Sequence, residues 1–502
     1  MNYSKYRHLF LSIVLLGALV NGCGGGGGTT PPSDNGGQED PSPQNPPVKQ
    51  TKNIKYSRVS IAGSSITHGG GYQDEGEEGY LGEHSYVGQV EKYLREEVAD
   101  TLNANELLST PYVDTDLMSY LGKINIYPQG SVITGTLKES DEIAIVYAGN
   151  DEETTIELEV DGKTFSYTIP AGNYSPVKKV YDDTNVNFYK AFRETNPKAV
   201  KVWKLPKTQN HQFKITVKSG ELHLNFVTNH MFYMQNAGVS GFEAEDFLSE
   251  YRTHSTVRDI IDFNPDLFIF ESSTNDAKTW RAELDGQEES TNQWLIENPV
   301  NFSSDGNVIT LPQTVSVREG DVVVMGDYQG DIQNMAVGIV ANASNGNRVT
   351  LSKVVSYEGQ AVHEQHYVPS GITKICRIKR ISTWEDRVKE VIRKVKIGTG
   401  NNNMLVGIGT SGVPNYYNPA SNDPYTSTPY TPRRLLGYRE RGEMIAQENG
   451  WFFVDFFKNT LAVEPGVDID RKWSMGDNTH PNPQGRILFG NAVISQLAGK
   501  LK

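Results

Sequence analysis

The run Tyr56-Ser57-Arg58-Val59-Ser60-Ile61-Ala62 alternates and then breaks into the small-residue turn Gly63-Ser64-Ser65. From about Ser85 to Asp100, Tyr86, Val90, Tyr93 and Leu94 recur at helical spacing, with Lys, Arg and Glu on the opposite face. Strand, tight turn and helix open a βαβ unit. The same period returns twice. His230–Gln235 reads as a strand, Thr256–Asp262 as a short helix, and Asp266–Phe270 as a buried-type strand. From Ser382, a capping-box pattern opens a helix to about Val395. A strand over Met404–Ile408 follows, then a helix from Thr431-Pro432 that Gly450 closes. Trp451–Phe456 is the last strand, and Asn482-Pro483 opens a final helix to about Leu497. Such alternation predicts an α/β domain with a mainly parallel sheet and helices on both faces.

Two β-rich stretches interrupt that pattern. Thr155–Val160 and Lys163–Ile169 flank Asp161-Gly162, and Gln212–Val217 and Glu221–Phe226 flank Ser219-Gly220; both read as hairpins. Short strands at this spacing predict a β-sandwich over 106–227. Val308–Leu311, Asp321–Met325, Ala336–Val340 and Arg348–Leu351 predict a second, smaller barrel or sandwich over 286–377. The α/β core is then assembled from 54–105, 228–285 and 378–502.

The N-terminus reads as an address and a tether. Lys5 and Arg7 precede a nearly unbroken apolar run, Leu9–Val20, too short to span a bilayer and right for a signal peptide over 1–22. It ends in Val20-Asn21-Gly22-Cys23, which resembles a bacterial lipobox; the resemblance implies cleavage before Cys23 and lipid on that residue. Residues 23–53 are rich in Gly, Pro, Ser, Asp and Gln, and read as a flexible tether of roughly 30 Å. Together these features predict a lipid-anchored protein of the bacterial cell envelope. The formal net charge of −14 repels phosphate backbones and argues against nucleic acid as a partner. Cys23 and Cys376 are too few for a disulfide framework, and Cys376 reads as a buried apolar residue.

Four polar clusters fall just past core strands, where an open α/β sheet places its functional loops. They are Gly63-Ser64-Ser65-Ile66-Thr67, Asn236–Gly241, Thr274-Asn275-Asp276, and Asp477-Asn478-Thr479-His480-Pro481. Taken in order they supply a hydroxyl nucleophile, a backbone donor, an amide donor, and a carboxylate with an imidazole. Ester hydrolysis through an acyl-enzyme needs all of these.

The same residues resemble the blocks of the SGNH hydrolases, the GDSL esterase/lipase family. Gly63–Thr67 is similar to the first block, Gly241 to the glycine of the second, Ser273–Asp276 to the third, and Asp477-x-x-His480-Pro481 to the fifth. The resemblance implies a flavodoxin-like three-layer core and a catalytic set of Ser65, Asp477 and His480. It also implies an oxyanion hole of the Ser65 amide, the Gly241 amide and the Asn275 side chain, with no metal and no cofactor. A register one residue earlier would make Ser64 the nucleophile. Ser64 stands where the family has Asp, and Ser273 where it has Gly.

The substrate this implies is an O-acylated, foremost O-acetylated, carbohydrate. Tyr416, Tyr417, Tyr425 and Tyr430 offer candidate platforms for sugar faces. A lipid or short-chain esterase or acyltransferase is a first rival, and a non-catalytic glycan-binding lipoprotein a second. His363 and His366 read as a surface loop rather than a zinc site, since no third ligand accompanies them. Asp468 and Asp470 match only a fragment of a calcium loop.

Overall fold

The computed structural model describes residues 54–69, 85–110, 113–119, 122–180, 192–250, 252, 254–276, 300–312, 317–326, 335–345, 347–358, 361–365, 367–379, 382–410, 432–456, 459 and 480–501. Cys23, the tether, Asp468, Asp470, Asp477 and the four tyrosines of 416–430 lie outside them. Among the described residues, no helix is long and apolar enough to cross a membrane.

Three sheets organise the chain. A seven-stranded sheet runs in the order Phe452–Asp455, Leu405–Thr410, Leu267–Ser272, Arg58–Gly63, Tyr233–Gly238, Phe192–Thr195, Val177–Val180. Its first five strands are parallel. The last two pairings are antiparallel, so Phe192–Thr195 alone runs against the rest. Side chains alternate across the sheet, as a pleated strand requires. Val59, Ile61, Met234 and Ile269 face one apolar cluster with Tyr86, Val90, Phe489 and Val493, from the helices Tyr86–Tyr93 and Pro483–Leu497. Ala62, Phe268, Phe270 and Ile408 face the other, with Val388, Val391, Ile392 and Ile445 from the helices Ser382–Thr399 and Pro432–Asn449.

The expected flavodoxin-like, mainly parallel architecture does not hold. The largest sheet has nine strands and is antiparallel, and a third, of eight strands, is antiparallel as well. Even the seven-stranded sheet is mixed. The reason is connectivity: parallel neighbours need a long crossover, whereas the β-rich stretches run their strands back and forth through short turns. Two strands from the first of these stretches, Val177–Val180 and Phe192–Thr195, extend the edge of the seven-stranded sheet. The fold is α/β with mixed strand order.

The nine-stranded sheet is built around two long strands, Val132–Ala148 and Val200–Ser219, paired along most of their length with register breaks between Lys204 and His211. Asp161 (φ 48°) and Gly162 (φ 79°) make the tight turn of the expected hairpin. Gly220 also turns in the left-handed region (φ 71°), but the strands beside it do not pair with each other. Val132–Ala148 lies between Val200–Ser219 and Glu221–Thr228 and pairs with both, so no Ser219-Gly220 hairpin forms. Ala144, Val146, Val200 and Phe226 of this sheet join the cluster under Val59 and Ile61, which fastens it to the seven-stranded sheet. In the eight-stranded sheet, Ala361–Gln365 is a paired strand, so His363 stands in a ladder rather than a loop.

Candidate active site

Ser65 is the first residue of a four-residue helix, Ser65–His68, separated from the strand Arg58–Gly63 by Ser64 alone. Ser64 caps it: its Oγ accepts from the Ile66 amide at 3.3 Å, as an N-cap serine does. Gly69, in the left-handed region (φ 93°), closes it. Gly63 has to be glycine for a steric reason, since a Cβ there would sit 2.3 Å from Thr67 Oγ1 and 2.6 Å from Glu271 Oε2. The turn therefore presents Ser65, not Ser64, at the end of the sheet.

His480 Nε2 lies 2.8 Å from Ser65 Oγ, across 415 residues of sequence. The helix Pro483–Leu497 holds the imidazole there. Asn482 caps that helix by accepting from the Gly485 amide at 2.9 Å. Phe489 stacks on Phe456 at 4.6 Å, and Gly490 packs so closely on the helix Tyr86–Tyr93 that a Cβ would reach Gln89 Cβ at 2.5 Å. Tyr86 touches both sides of the pair. Its ring packs against Phe456 and Phe489, and its hydroxyl lies 3.0 Å from Thr67 Oγ1.

The other two described clusters meet at the same sheet end. The Val239 amide donates to Gly63 O at 2.9 Å, and the Phe242 amide to Val239 O at 3.2 Å. Gly241 (φ 81°) is the residue of that turn which needs a left-handed conformation. Asn275 is buried, and its Nδ2 donates to Phe242 O at 2.8 Å, joining the third cluster to the second. Asp276 continues the link: Oδ1 accepts from the Ala244 amide at 3.0 Å, and Oδ2 from Ser272 Oγ at 2.9 Å and the Ser273 amide at 3.1 Å. Ser273, where a glycine would be at ease, is held at φ 120°.

Burial sets the electrostatics. It pushes the carboxyls of Glu271 and Asp276 above the usual carboxylate range, while hydrogen bonds to each pull back against the shift. The Arg193 guanidinium, 3.3 Å from His68 Nε2, is brought down to about 10 by burial. A guanidinium only donates, so His68 Nε2 is the accepting atom of this contact. Among the described residues, no group of histidine, cysteine and carboxylate side chains is arranged to hold a metal ion.

Glu271, His68 and Arg193 are site residues the sequence reading missed. For Glu271 a signal exists: it is the one charged residue in the otherwise apolar run Leu267–Glu271 at the end of a fully buried strand. His68 and Arg193 carry no such signal, because their meeting depends on an edge strand whose placement is not local.

No family model matches the sequence, and no curated protein matches it. Among solved structures, the chain is similar to a peptidoglycan O-acetylesterase, at 11% identity and a TM-score of 0.32, covering 89% of this chain and 91% of that one. It is similar to a protein described as an acylhydrolase from Bacteroides fragilis, at 12% identity and a TM-score of 0.26, covering 53% and 74%. Part of it is similar to the carbohydrate-binding module CBM36 in complex with calcium and xylotriose, at 10% identity and a TM-score of 0.18, covering 25% and 96%.

Proposed function

We propose that the chain is a serine ester hydrolase of SGNH type, removing O-acetyl or other short acyl groups from carbohydrate at the bacterial cell envelope. The observation that carries this reading is the 2.8 Å approach of His480 Nε2 to Ser65 Oγ at the end of a sheet where three polar loops are cross-linked. Neutral His480, protonated on Nδ1, accepts the Ser65 proton as Oγ attacks the acyl carbon. It then returns that proton to the leaving alcohol, and water, activated the same way, releases the acid. Asp477, three residues before His480, is assigned to orient the imidazole. The Ser65 and Gly241 amides and the second Nδ2 proton of Asn275 are assigned to the oxyanion; a donor of this kind is worth about 3–4 kcal/mol.

The carbohydrate assignment draws on the envelope address read from the N-terminus and on one feature of the nine-stranded sheet. Its outer face carries a cleft of 570 Å³ lined by Thr134, Thr136, Asn210 and Gln212 and by the charged Glu159, Asp161 and Lys214, with Leu108 at its wall. Hydroxyl, amide and carboxylate side chains beside an exposed leucine offer the mixed donors and acceptors that a polyol presents in turn. Membrane attachment through lipid on Cys23 completes the proposal.

The test is covalent labelling of the full-length protein with a fluorophosphonate, combined with measurement of acids released from a panel of acetylated polysaccharides. Labelling at Ser65, lost in Ser65→Ala, together with acetate release, supports the reading. Labelling with a preference for long-chain p-nitrophenyl esters favours a lipid esterase. Absence of labelling favours a glycan-binding protein.

A further inference from the structure

A carboxylate that reaches into the nucleophile turn comes from a neighbouring strand. Glu271, wholly buried, sits near the end of Leu267–Ser272, and its Oε2 collects three donors: the Ser64 amide, Ser64 Oγ and Thr67 Oγ1, each at 3.0 Å. These bonds fix the direction of every proton around them. Thr67 spends its one hydroxyl proton on Glu271, so in the 3.0 Å contact with Tyr86 it accepts and Tyr86 donates. Ser64 Oγ spends its proton the same way and accepts from the Ile66 amide. Burial and the Glu271 charge hold the Tyr86 hydroxyl well above its ordinary value, so it keeps the proton it donates.

Ser65 sits between the two pinned residues. Ser64 is clamped through backbone and side chain on one side, Thr67 through its hydroxyl on the other, and Gly63 leaves room for the carboxylate to reach both. The Ser85 hydroxyl, donating to Thr67 O at 2.5 Å, braces the same turn from behind. Ser65 itself has to aim at a single carbonyl, its hydroxyl at the carbon and its amide at the oxygen, and a shift of about 1 Å in such a group costs on the order of 100-fold in rate.

We propose that Glu271 is a positioning residue for Ser65, its buried carboxylate gathering residues 64 and 67 so that the Ser65 amide and hydroxyl converge. The proposal rests on the esterase reading above. In this chain the anion that orders the turn stands on the adjacent strand, and position 64 carries a serine that donates to it.

The experiment compares wild type, Glu271→Gln, Ser64→Asp and the double variant Ser64→Asp/Glu271→Gln in the full-length protein. Hydrolysis of p-nitrophenyl acetate, fluorophosphonate labelling rate and thermal unfolding are measured for each. Gln keeps the shape and one oxygen for the three donors, but it removes the charge they gather on and puts an amide donor in the place of Oε1. Glu271→Gln is expected to lower kcat and labelling rate about 10- to 100-fold with KM within about two-fold. Ser64→Asp alone sets two carboxylates against each other and is also expected to lose rate. The double variant moves the anion across the same contact and is expected to recover at least about ten-fold over Glu271→Gln. Should Glu271→Gln not fold, the double variant is compared with Ser64→Asp, which it is expected to exceed in kcat. A folded Glu271→Gln with wild-type labelling rate overturns the proposal, as does a double variant no faster than either single one. If wild type itself fails to label at Ser65, the esterase reading falls instead.

Discussion

Where the strands Arg58–Gly63, Tyr233–Gly238 and Leu267–Ser272 end, the seven-stranded sheet buries Ser64, Ser65, Thr67, Asn236, Glu271 and Asn275 within one loop cluster. The nine-stranded sheet fills its interior with Ile143, Ile145, Ile156, Leu158, Ile215 and Leu224, and keeps the pairs Lys214–Glu159 and Lys218–Glu157 on its solvent side. Apolar burial stabilises at about 25 cal/mol per Å², whereas a buried polar group costs free energy unless its bonds are made. The first arrangement spends stability on geometry. The second supplies stability and presents a polar surface. Substitutions in the two regions should therefore separate rate from folding.

The sharpest break of that comparison comes from Ser65 and His480. Ser65→Ala and His480→Ala are each expected to lower kcat for p-nitrophenyl acetate by at least about 10⁴-fold, and the double variant to be no worse than either, since the two act as one unit. Thermal unfolding midpoints should stay near wild type. A double variant whose losses multiply would mean that the two side chains work independently.

Leu158→Ala reverses the roles. Leu158 is fully buried in the nine-stranded sheet, and its truncation is expected to cost about 2–5 kcal/mol in stability. Fluorophosphonate labelling of the folded fraction should be unchanged. If labelling falls along with stability, the antiparallel sheet supports the site more directly than its separate apolar cluster indicates.

How much of this was legible in the sequence follows from range. Local chemistry marks the ends of elements: Asp161-Gly162 turns its hairpin, Gly450 (φ 68°) closes the helix Pro432–Asn449, and Asn482 caps the helix behind His480. Partner choice is not local. Nothing near Ser219-Gly220 says that Val132–Ala148 will lie between the flanking strands, and nothing near Arg193 says that its strand will turn the edge of the seven-stranded sheet antiparallel. Expecting a mainly parallel sheet extrapolated the helix–strand alternation of the core to a chain whose pairings are mostly antiparallel. In the site, Ser65, Gly241, Asn275 and His480 stand out because their chemistry is needed together. Glu271 shows only as a lone charge in an apolar run, and its contact with Ser64 depends on which strand lies beside Gly63.

Ser273→Gly tests the site region from the stability side. Its φ of 120° is a conformation that favours glycine, and holding a serine there costs on the order of 1 kcal/mol. The substitution is expected to raise stability by about that amount in denaturant titration, with kcat within about two-fold. A drop in stability would show that Ser273 contributes through its side chain more than its backbone loses.

The smallest effect belongs to the turn of the nine-stranded sheet, and its sign can be worked out. Burial raises the Asp161 carboxyl, but hydrogen bonds from His211 and Gln209, at 2.6 and 2.8 Å, and the nearby imidazole outweigh it and hold Asp161 below its ordinary 3.8. A carboxyl lowered on folding contributes stability that is complete above the unfolded value and is lost as pH falls through the folded one. Wild type should therefore lose part of its stability below about pH 4 through this residue. Asp161→Asn keeps the left-handed turn, which Asn tolerates, and retains an acceptor for His211. It is expected to flatten the acid limb of unfolding free energy by less than about 1 kcal/mol, because the side chain is a third exposed (33%). Denaturant titrations at pH 3 and pH 6 measure the difference, and hydrolysis at pH 7 should be unchanged. An equal loss at both pH values would assign the contribution of Asp161 to turn geometry instead of charge, and would remove electrostatics from the account of how this sheet is held.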